Sequence, residues 1–220
     1  MNNYAVIFDM DGVICHTNPY HAKAFEAFFD NYQIPYTAKD FEDHMYGKHN
    51  SYIMTHFFKR PVTGDELKKL EQEKEALFRN IYREKVETLP YYMEFLEDLK
   101  FQGFKTAVAT SAPQANLDLI LAVLKIENKM ESLLASEHVA QHKPHPEVYL
   151  TSAERIGVDP KDCLVFEDSF SGVSAAKNAG MKVVGVLSTH HKDQLPPCDF
   201  YIRDYSEVNA EKVFELLRHS

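Results

Sequence analysis

The sequence predicts an α/β protein, a doubly wound parallel-sheet core of the Rossmann-like type with an inserted helical cap domain. Short runs rich in β-branched residues alternate with segments of helical period from residue 91 onward, as in strands joined by crossover helices. Between residues 16 and 87 this alternation stops, and only helical patterns occur. Polar side chains directly follow several of the predicted strands, which is where open α/β sheets bind their ligands.

Short apolar runs predict the strands of the sheet. They are Tyr4–Phe8, Thr106–Ala109, Cys163–Phe166 and Lys182–Leu187, with weaker patterns at Ser132–Leu134 and Phe200–Ile202. Such apolar runs between turn signals are typical of parallel strands that are buried on both faces.

Helical periodicity predicts two groups of helices. In the core they are Tyr91–Gln102, Asn116–Leu124, Pro146–Ile156, Ser171–Ala179 and Val208–Arg218, and in the insertion Pro19–Tyr32, Ala38–Met45, Ser51–Phe58 and Asp65–Val86. The charges of the last segment predict a solvated helix face. We therefore expect an α/β catalytic core over 1–15 and 88–220 and a helical cap domain over 16–87.

Composition narrows the class of protein. The 220 residues carry 24 Lys and Arg against 33 Asp and Glu, a net charge of −9, which argues against nucleic acid as a partner. The three cysteines follow no metal-ligand or disulfide spacing, and neither a signal peptide nor a long apolar stretch is recognisable. The sequence thus predicts a cytoplasmic protein with a small-molecule partner, no membrane partner, and a monomeric or weakly oligomeric state.

The densest chemical signal follows the first predicted strand. Asp9 and Asp11 flank Met10 and precede Gly12. In extended backbone, residues two apart project to the same side, so the two carboxylates would face one site while Met10 points away. Asp-Gly is also a common turn dipeptide, and two ordinary turn carboxylates are the alternative interpretation.

Two further segments offer groups that hold phosphate. Thr110 and Ser111 follow the second strand, where a hydroxyl and backbone N–H groups can bind phosphate oxygens without a competing charge. A helix cap is the alternative there. Lys143 precedes Pro144, which favours extended backbone at the lysine and a reach toward an anion.

A second acidic pair ends another strand. Glu167 and Asp168 follow Cys163–Phe166. Carboxylate oxygens are the hard ligands that Mg²⁺ prefers, although acidic residues near the start of the next helix are also favoured by its dipole. The strand ends of one sheet thus offer a nucleophile, groups that hold phosphate, a cation and metal ligands. Together these groups predict phosphoryl transfer.

Through these strand-end residues the sequence resembles the haloacid dehalogenase superfamily. Its four ordered motifs match Asp9-Met10-Asp11-Gly12, Thr110, Lys143 and Glu167-Asp168, and the similarity is greatest to the β-phosphoglucomutase-like branch with a helical cap. The resemblance implies a Mg²⁺-dependent phosphatase in which Asp9 forms an aspartyl-phosphate and Asp11 is the general acid and base. The implied site comprises catalytic Asp9 and Asp11, substrate-binding Thr110, Ser111, Lys143, His21, Lys48 and Asn50, and metal-binding Asp9, Asp11, Glu167 and Asp168.

The cap residues leave an alternative reaction open. Mutases of this branch carry an arginine three residues after the cap-loop glycine to bind a second phosphate, whereas this chain has Asn50 after Gly47. The difference favours a phosphatase over β-phosphoglucomutase, and a sugar phosphate is the expected small phosphorylated metabolite. A non-catalytic phosphometabolite-binding protein is the more remote alternative. The substrate itself is left open, and the clustered histidines, among them His190, are interpreted as surface or loop residues.

Overall fold

The computed structural model describes residues 3–45 and 50–218, without the side chain of Glu42. The chain forms two compact units, one of Met1–His16 with Val86–Ser220 and the other of Thr17–Lys85. Among the described helices, none is sufficiently long and apolar to cross a lipid bilayer.

The first unit is built on a parallel sheet, as the strand-helix alternation predicts. Its described strands follow the order β3-β2-β1-β4-β5-β6, and all neighbours are parallel. They are β1 (Ala5–Phe8), β2 (Lys105–Ala109), β3 (Ser132–Leu134), β4 (Cys163–Glu167), β5 (Lys182–Val186) and β6 (Phe200–Ile202). The chain adds strands on one side of β1 and then on the other, so the topological switch lies between β1 and β4.

The helices of this unit connect the strands. They are α5 (Tyr92–Phe101), α6 (Gln114–Leu124), α7 (Glu147–Ile156), α8 (Phe170–Asn178) and α9 (Ala210–Arg218). The central strand β1 has all four side chains fully buried. The ring of Phe8 packs 5.3 Å from those of Tyr92 and Phe166, between centroids. Burying each such aromatic side chain stabilises the folded protein by about 1.5–3 kcal/mol. This packing holds β1 and β4 together just before their polar ends.

The second unit is helical. It contains α1 (Asn18–Asn31), α2 (Ala38–His44), α3 (Asn50–Phe58) and α4 (Gly64–Tyr82), and its core is rich in phenylalanine. The rings of Phe29 and Phe57 stack with their centroids 4.3 Å apart and join α1 to α3.

Two expectations for α4 are wrong. The helix ends at Tyr82 and not at Val86, since the amide of Lys85 donates to the carbonyl of Tyr82 at 2.7 Å, a three-residue spacing tighter than that of an α-helix. Its charged face is not solvated throughout, since Lys74 and Glu75 are buried and their side chains pair at 2.7 Å. A charge can be buried at such a position because an opposite charge accompanies it.

Candidate active site

The candidate site lies at the carboxyl edge of the sheet, at the switch between β1 and β4. Phe8 is in register with Val108 of β2 and Phe166 of β4. The next residues along the three strands, Asp9, Ala109 and Glu167, therefore reach this edge at the same level. The amide of Asp9 donates to the carbonyl of Phe166 at 3.0 Å, which ties the chain after β1 to β4.

Lys143 lies at the centre of the buried polar groups. Its Nζ donates to Asp9 Oδ1 at 2.6 Å, to Glu167 Oε1 at 2.7 Å and to the carbonyl of Ala109 at 3.1 Å. Lys143 is 6% exposed and Asp9 7%. One ammonium group thus connects the ends of β1, β2 and β4, and the shielding from water makes these charge-assisted bonds strong.

The carboxylate of Glu167 is saturated with hydrogen bonds. Oε1 accepts from Lys143 and from the hydroxyl of Tyr149 at 2.8 Å. Oε2 accepts from the amides of Asp168 and Ser169 and from Ser169 Oγ, each at 3.0 Å. A carboxylate has about four lone-pair sites, so five donors leave none for another partner. To hold a cation directly, Glu167 would have to release one of these bonds.

Glycine at position 172 makes room for Glu167. A Cβ at Gly172 would lie 1.6 Å from Glu167 Oε1, much closer than any real contact. The first turn of α8 can approach the end of β4 only because this residue has no side chain.

Asp168 is held by the loop that follows β5. Thr189 Oγ1 donates to Asp168 Oδ2, and His190 Nδ1 lies 2.9 Å from the carbonyl of Asp168. Because a carbonyl only accepts, His190 carries a proton on Nδ1.

Burial and crowding raise the pKa values of two carboxyl groups. Burial, opposed by Lys143 and reinforced by Glu167 and Asp11, raises the pKa of Asp9 to about 8. Burial, followed by the charges of Glu167 and Asp9, raises the pKa of Asp168 well above its ordinary value. Burial alone would lower the pKa of Lys143, but Asp9 and Glu167 outweigh it and hold that pKa well above the ordinary value. The site therefore carries more negative charge than one lysine balances.

These carboxylates fit a divalent cation. Asp9, Glu167 and Asp168 each offer a ligand oxygen, and the three oxygens lie within 4.8 Å of one another. A cation among them would oppose the raised pKa values of Asp9 and Asp168 and favour their charged forms. Hard oxygen donors with an excess of negative charge are the set that suits Mg²⁺.

The other predicted residues of this unit have the following positions. Met10 is fully buried, and half-buried Asp11 is close enough to raise the pKa of both Asp9 and Asp168. Thr110 is buried, and its Oγ1 accepts from the amide of Ala112 at 3.0 Å, while Ser111 is exposed. Thr110 therefore orders the turn that carries Ser111.

The cap residues belong to the second unit. His21 lies in α1 with its Nδ1 2.9 Å from Lys74 Nζ and its ring stacked on Phe78 at 3.8 Å between centroids. Because an ammonium group only donates, His21 accepts at Nδ1 and bears its proton on Nε2. Asn50 begins α3, and Lys48 lies outside the described residues.

Sequence reasoning missed four residues that contact the predicted set. They are Tyr149, Ser169, Thr189 and His190. Thr189 and His190 follow β5 and could have been found by the strand-end rule that identified Asp9 and Asp168. Ser169 precedes Gly172 by three residues, an N-cap spacing, and caps α8. Tyr149 carries no such signal, because its position in α7 has no fixed relation to the strand ends.

Known proteins resemble this chain along most of its length. A family model described as haloacid dehalogenase-like hydrolase matches residues 6–186. A phosphorylated carbohydrates phosphatase of Thermotoga maritima is 35% identical over 188 residues, 83% of this chain and 85% of the relative. A β-phosphoglucomutase of Bacillus subtilis is 30% identical over 220 residues, 96% of this chain and 94% of the relative. The crystal structure of a HAD hydrolase of family IA, variant 3, from Entamoeba histolytica has the same fold, with a TM-score of 0.91 and 24% identity over 98% of this chain and 100% of that one.

Proposed function

The chain belongs to the haloacid dehalogenase-like hydrolases, and we propose that it is a Mg²⁺-dependent phosphatase that hydrolyses a small sugar phosphate through an aspartyl-phosphate on Asp9. The observation that carries the proposal is the buried carboxylate of Asp9, bonded to Lys143 and clustered with Glu167 and Asp168 at the switch point of the sheet. The similarity to a phosphorylated carbohydrates phosphatase and to a β-phosphoglucomutase supports a sugar phosphate as the substrate class.

The residues of the first unit then take these roles. Asp9 attacks phosphorus while the ester P–O bond breaks, and Asp11 gives its proton to the departing alkoxide. In the second half-reaction Asp11 takes a proton from water, the water oxygen bonds to phosphorus, and the acyl phosphate bond breaks to release phosphate and Asp9. Lys143 neutralises phosphoryl oxygens, and the turn of Thr110 and Ser111 offers a hydroxyl and backbone N–H groups to them.

Asp9, Asp168 and the backbone carbonyl of Asp11 would hold the Mg²⁺, with Glu167 joining if it releases a present partner. When bound, Mg²⁺ would neutralise part of the charge that gathers on the carboxylates and the phosphoryl group. His21, Lys48 and Asn50 stay in the proposal as cap residues that select the substrate. A non-catalytic phosphate-binding protein would have little use for a nucleophile and an acid two residues apart.

We expect activity to require Mg²⁺ and to fall when excess Ca²⁺ is added. Ca²⁺ accepts the same oxygen ligands but prefers more of them in a looser geometry, which would misplace Asp9. The measurement is release of inorganic phosphate from a panel of sugar phosphates, with Mg²⁺, after chelation, and with Mg²⁺ plus Ca²⁺. Undiminished release after exhaustive chelation would remove the metal from the mechanism.

Hydrolysis should exceed transfer between sugar hydroxyls. A mutase must hold a bisphosphate intermediate, and a bidentate Arg–phosphate contact does this with both charge and geometry. Asn50 can donate hydrogen bonds but brings no charge. Asn50→Arg should accordingly tighten binding of a bisphosphorylated sugar by about 1.5–3 kcal/mol.

The test incubates the wild-type protein with β-glucose 1-phosphate and a trace of the bisphosphate. Inorganic phosphate and glucose 6-phosphate are followed together, and phosphate should dominate. Rapid formation of glucose 6-phosphate with negligible phosphate release would replace the phosphatase assignment by the mutase.

A further inference from the structure

We infer that Thr189 is a positioning residue, whose hydroxyl orients the carboxylate of Asp168 toward the bound cation. The inference rests on the proposed function, because it needs Asp168 as a metal ligand. It concerns the loop after β5, a part of the site to which the mechanism above gives no role.

The contacts of Asp168 differ from those of the other two clustered carboxylates. Lys143 bonds to Asp9 and Glu167, whereas the side chain of Asp168 bonds through Oδ2 to the hydroxyl of Thr189. Asp168 itself is 4% exposed. A bond on Oδ2 leaves Oδ1 available to a cation and restricts rotation of the carboxylate.

Gly12 packs against Asp168 Oδ2, next to the Thr189 hydroxyl. A Cβ at Gly12, where φ is +73°, would stand 2.0 Å from Asp168 Oδ2 and 2.8 Å from Thr189 Oγ1. Oδ2 is thus packed between the turn after β1 and the loop after β5. The carboxylate cannot rotate freely without losing the bond to Thr189 or meeting this turn.

The loop that carries Thr189 is itself anchored to both neighbours. Ser188 Oγ donates to the carbonyl of Gly12, and His190 donates from Nδ1 to the carbonyl of Asp168. Three consecutive side chains therefore join β5 to the turn after β1 and to the end of β4. This fixes the position from which the Thr189 hydroxyl donates.

A hydroxyl suits this role better than a lysine or arginine. A hydroxyl donates one hydrogen bond and adds no positive charge beside the metal. It therefore orients Asp168 without competing with the metal for the carboxylate. Partners that orient a metal ligand in this way typically contribute about 10–100-fold to metal affinity.

The test measures Mn²⁺ binding to the full-length protein without substrate, from the electron paramagnetic resonance signal of free Mn²⁺. Thr189→Val keeps the shape of the side chain but removes the donor, and it should weaken binding by about 10–100-fold. Thr189→Ser retains the donor and should restore most of the affinity. Since Thr189 is exposed, its valine variant should melt close to the wild type. Phosphatase activity of Thr189→Val should recover as Mg²⁺ is raised, which a damaged fold would not show.

Ser206→Ala is the matched control. Ser206 Oγ also donates to an aspartate carboxylate, that of Asp204, at 2.5 Å, and Asp204 is outside the clustered set. Its loss should leave Mn²⁺ affinity unchanged. If Thr189→Val binds Mn²⁺ like the wild type, the inference fails while the proposed function stands. If the wild type binds neither Mn²⁺ nor Mg²⁺, the metal site of the proposed function fails and the inference fails with it.

Discussion

Replacing Asp9 by Asn is expected to lower kcat by at least about 10⁴-fold, because an amide cannot attack phosphorus and loss of a nucleophile typically costs several orders of magnitude. The fold should survive the change. Asparagine has nearly the size and shape of aspartate, and its amide oxygen can still accept a hydrogen bond from Lys143 Nζ. The measurement is kcat with a simple aryl phosphate in saturating Mg²⁺, beside a thermal melt in chelator.

Asp204→Asn is a control for this experiment, since the same chemical change falls on a carboxylate that caps a surface turn at Ser206. It should leave kcat unchanged. Mass spectrometry of the quenched wild-type reaction should detect a phosphoryl group on Asp9 that the Asn variant lacks. An Asp9→Asn protein that keeps more than about a tenth of the wild-type rate would contradict covalent catalysis.

Lys143→Met is expected to lower both stability and activity. The variant leaves Asp9 and Glu167 without their shared cation, and removing one partner of a buried ion pair costs about 3–5 kcal/mol. The phosphoryl group would also lose a positive contact, which should reduce kcat/KM by about 10²–10³-fold. Urea unfolding in chelator measures the first effect, and steady-state kinetics with Mg²⁺ measures the second.

Lys100→Met distinguishes burial from ion pairing as such. Lys100 pairs with Glu131 at 2.6 Å in the same unit, but the two side chains are 26% and 40% exposed. Water screens such a pair, so its loss should cost at most about 1 kcal/mol and leave kcat/KM unchanged. Equal losses of stability in the two variants would show that Lys143 has no special role in balancing the buried carboxylates.

The local elements are predictable because each depends on neighbours in the sequence. The apolar runs at Ser132–Leu134 and Phe200–Ile202 are strands with these limits, and most other elements end within one or two residues of the expected position. The error of four residues at the end of α4 arises because apolar Val86 continues the helical pattern, whereas the backbone already tightens at Lys85. The burial of Lys74 and Glu75 is not predictable from the sequence, because a pattern of charges does not reveal which of them a second helix covers.

The sequence by itself determined the strand-helix alternation and which polar side chains lie at the strand ends. A carboxylate at such an end, as in Asp9 just after β1 or Glu167 at the end of β4, reaches the carboxyl edge of any parallel sheet. Only the tertiary structure decided the partners at that edge. Lys143 meets Asp9 across 134 positions of the chain, although β2 lies between β1 and the strand β3 that precedes the lysine. Thr189 meets Asp168 across 21 positions, because β5 is the neighbour of β4. Burial, which raises the pKa of Asp9 and strengthens its bond to Lys143, likewise depends on residues distant in sequence that exclude water together.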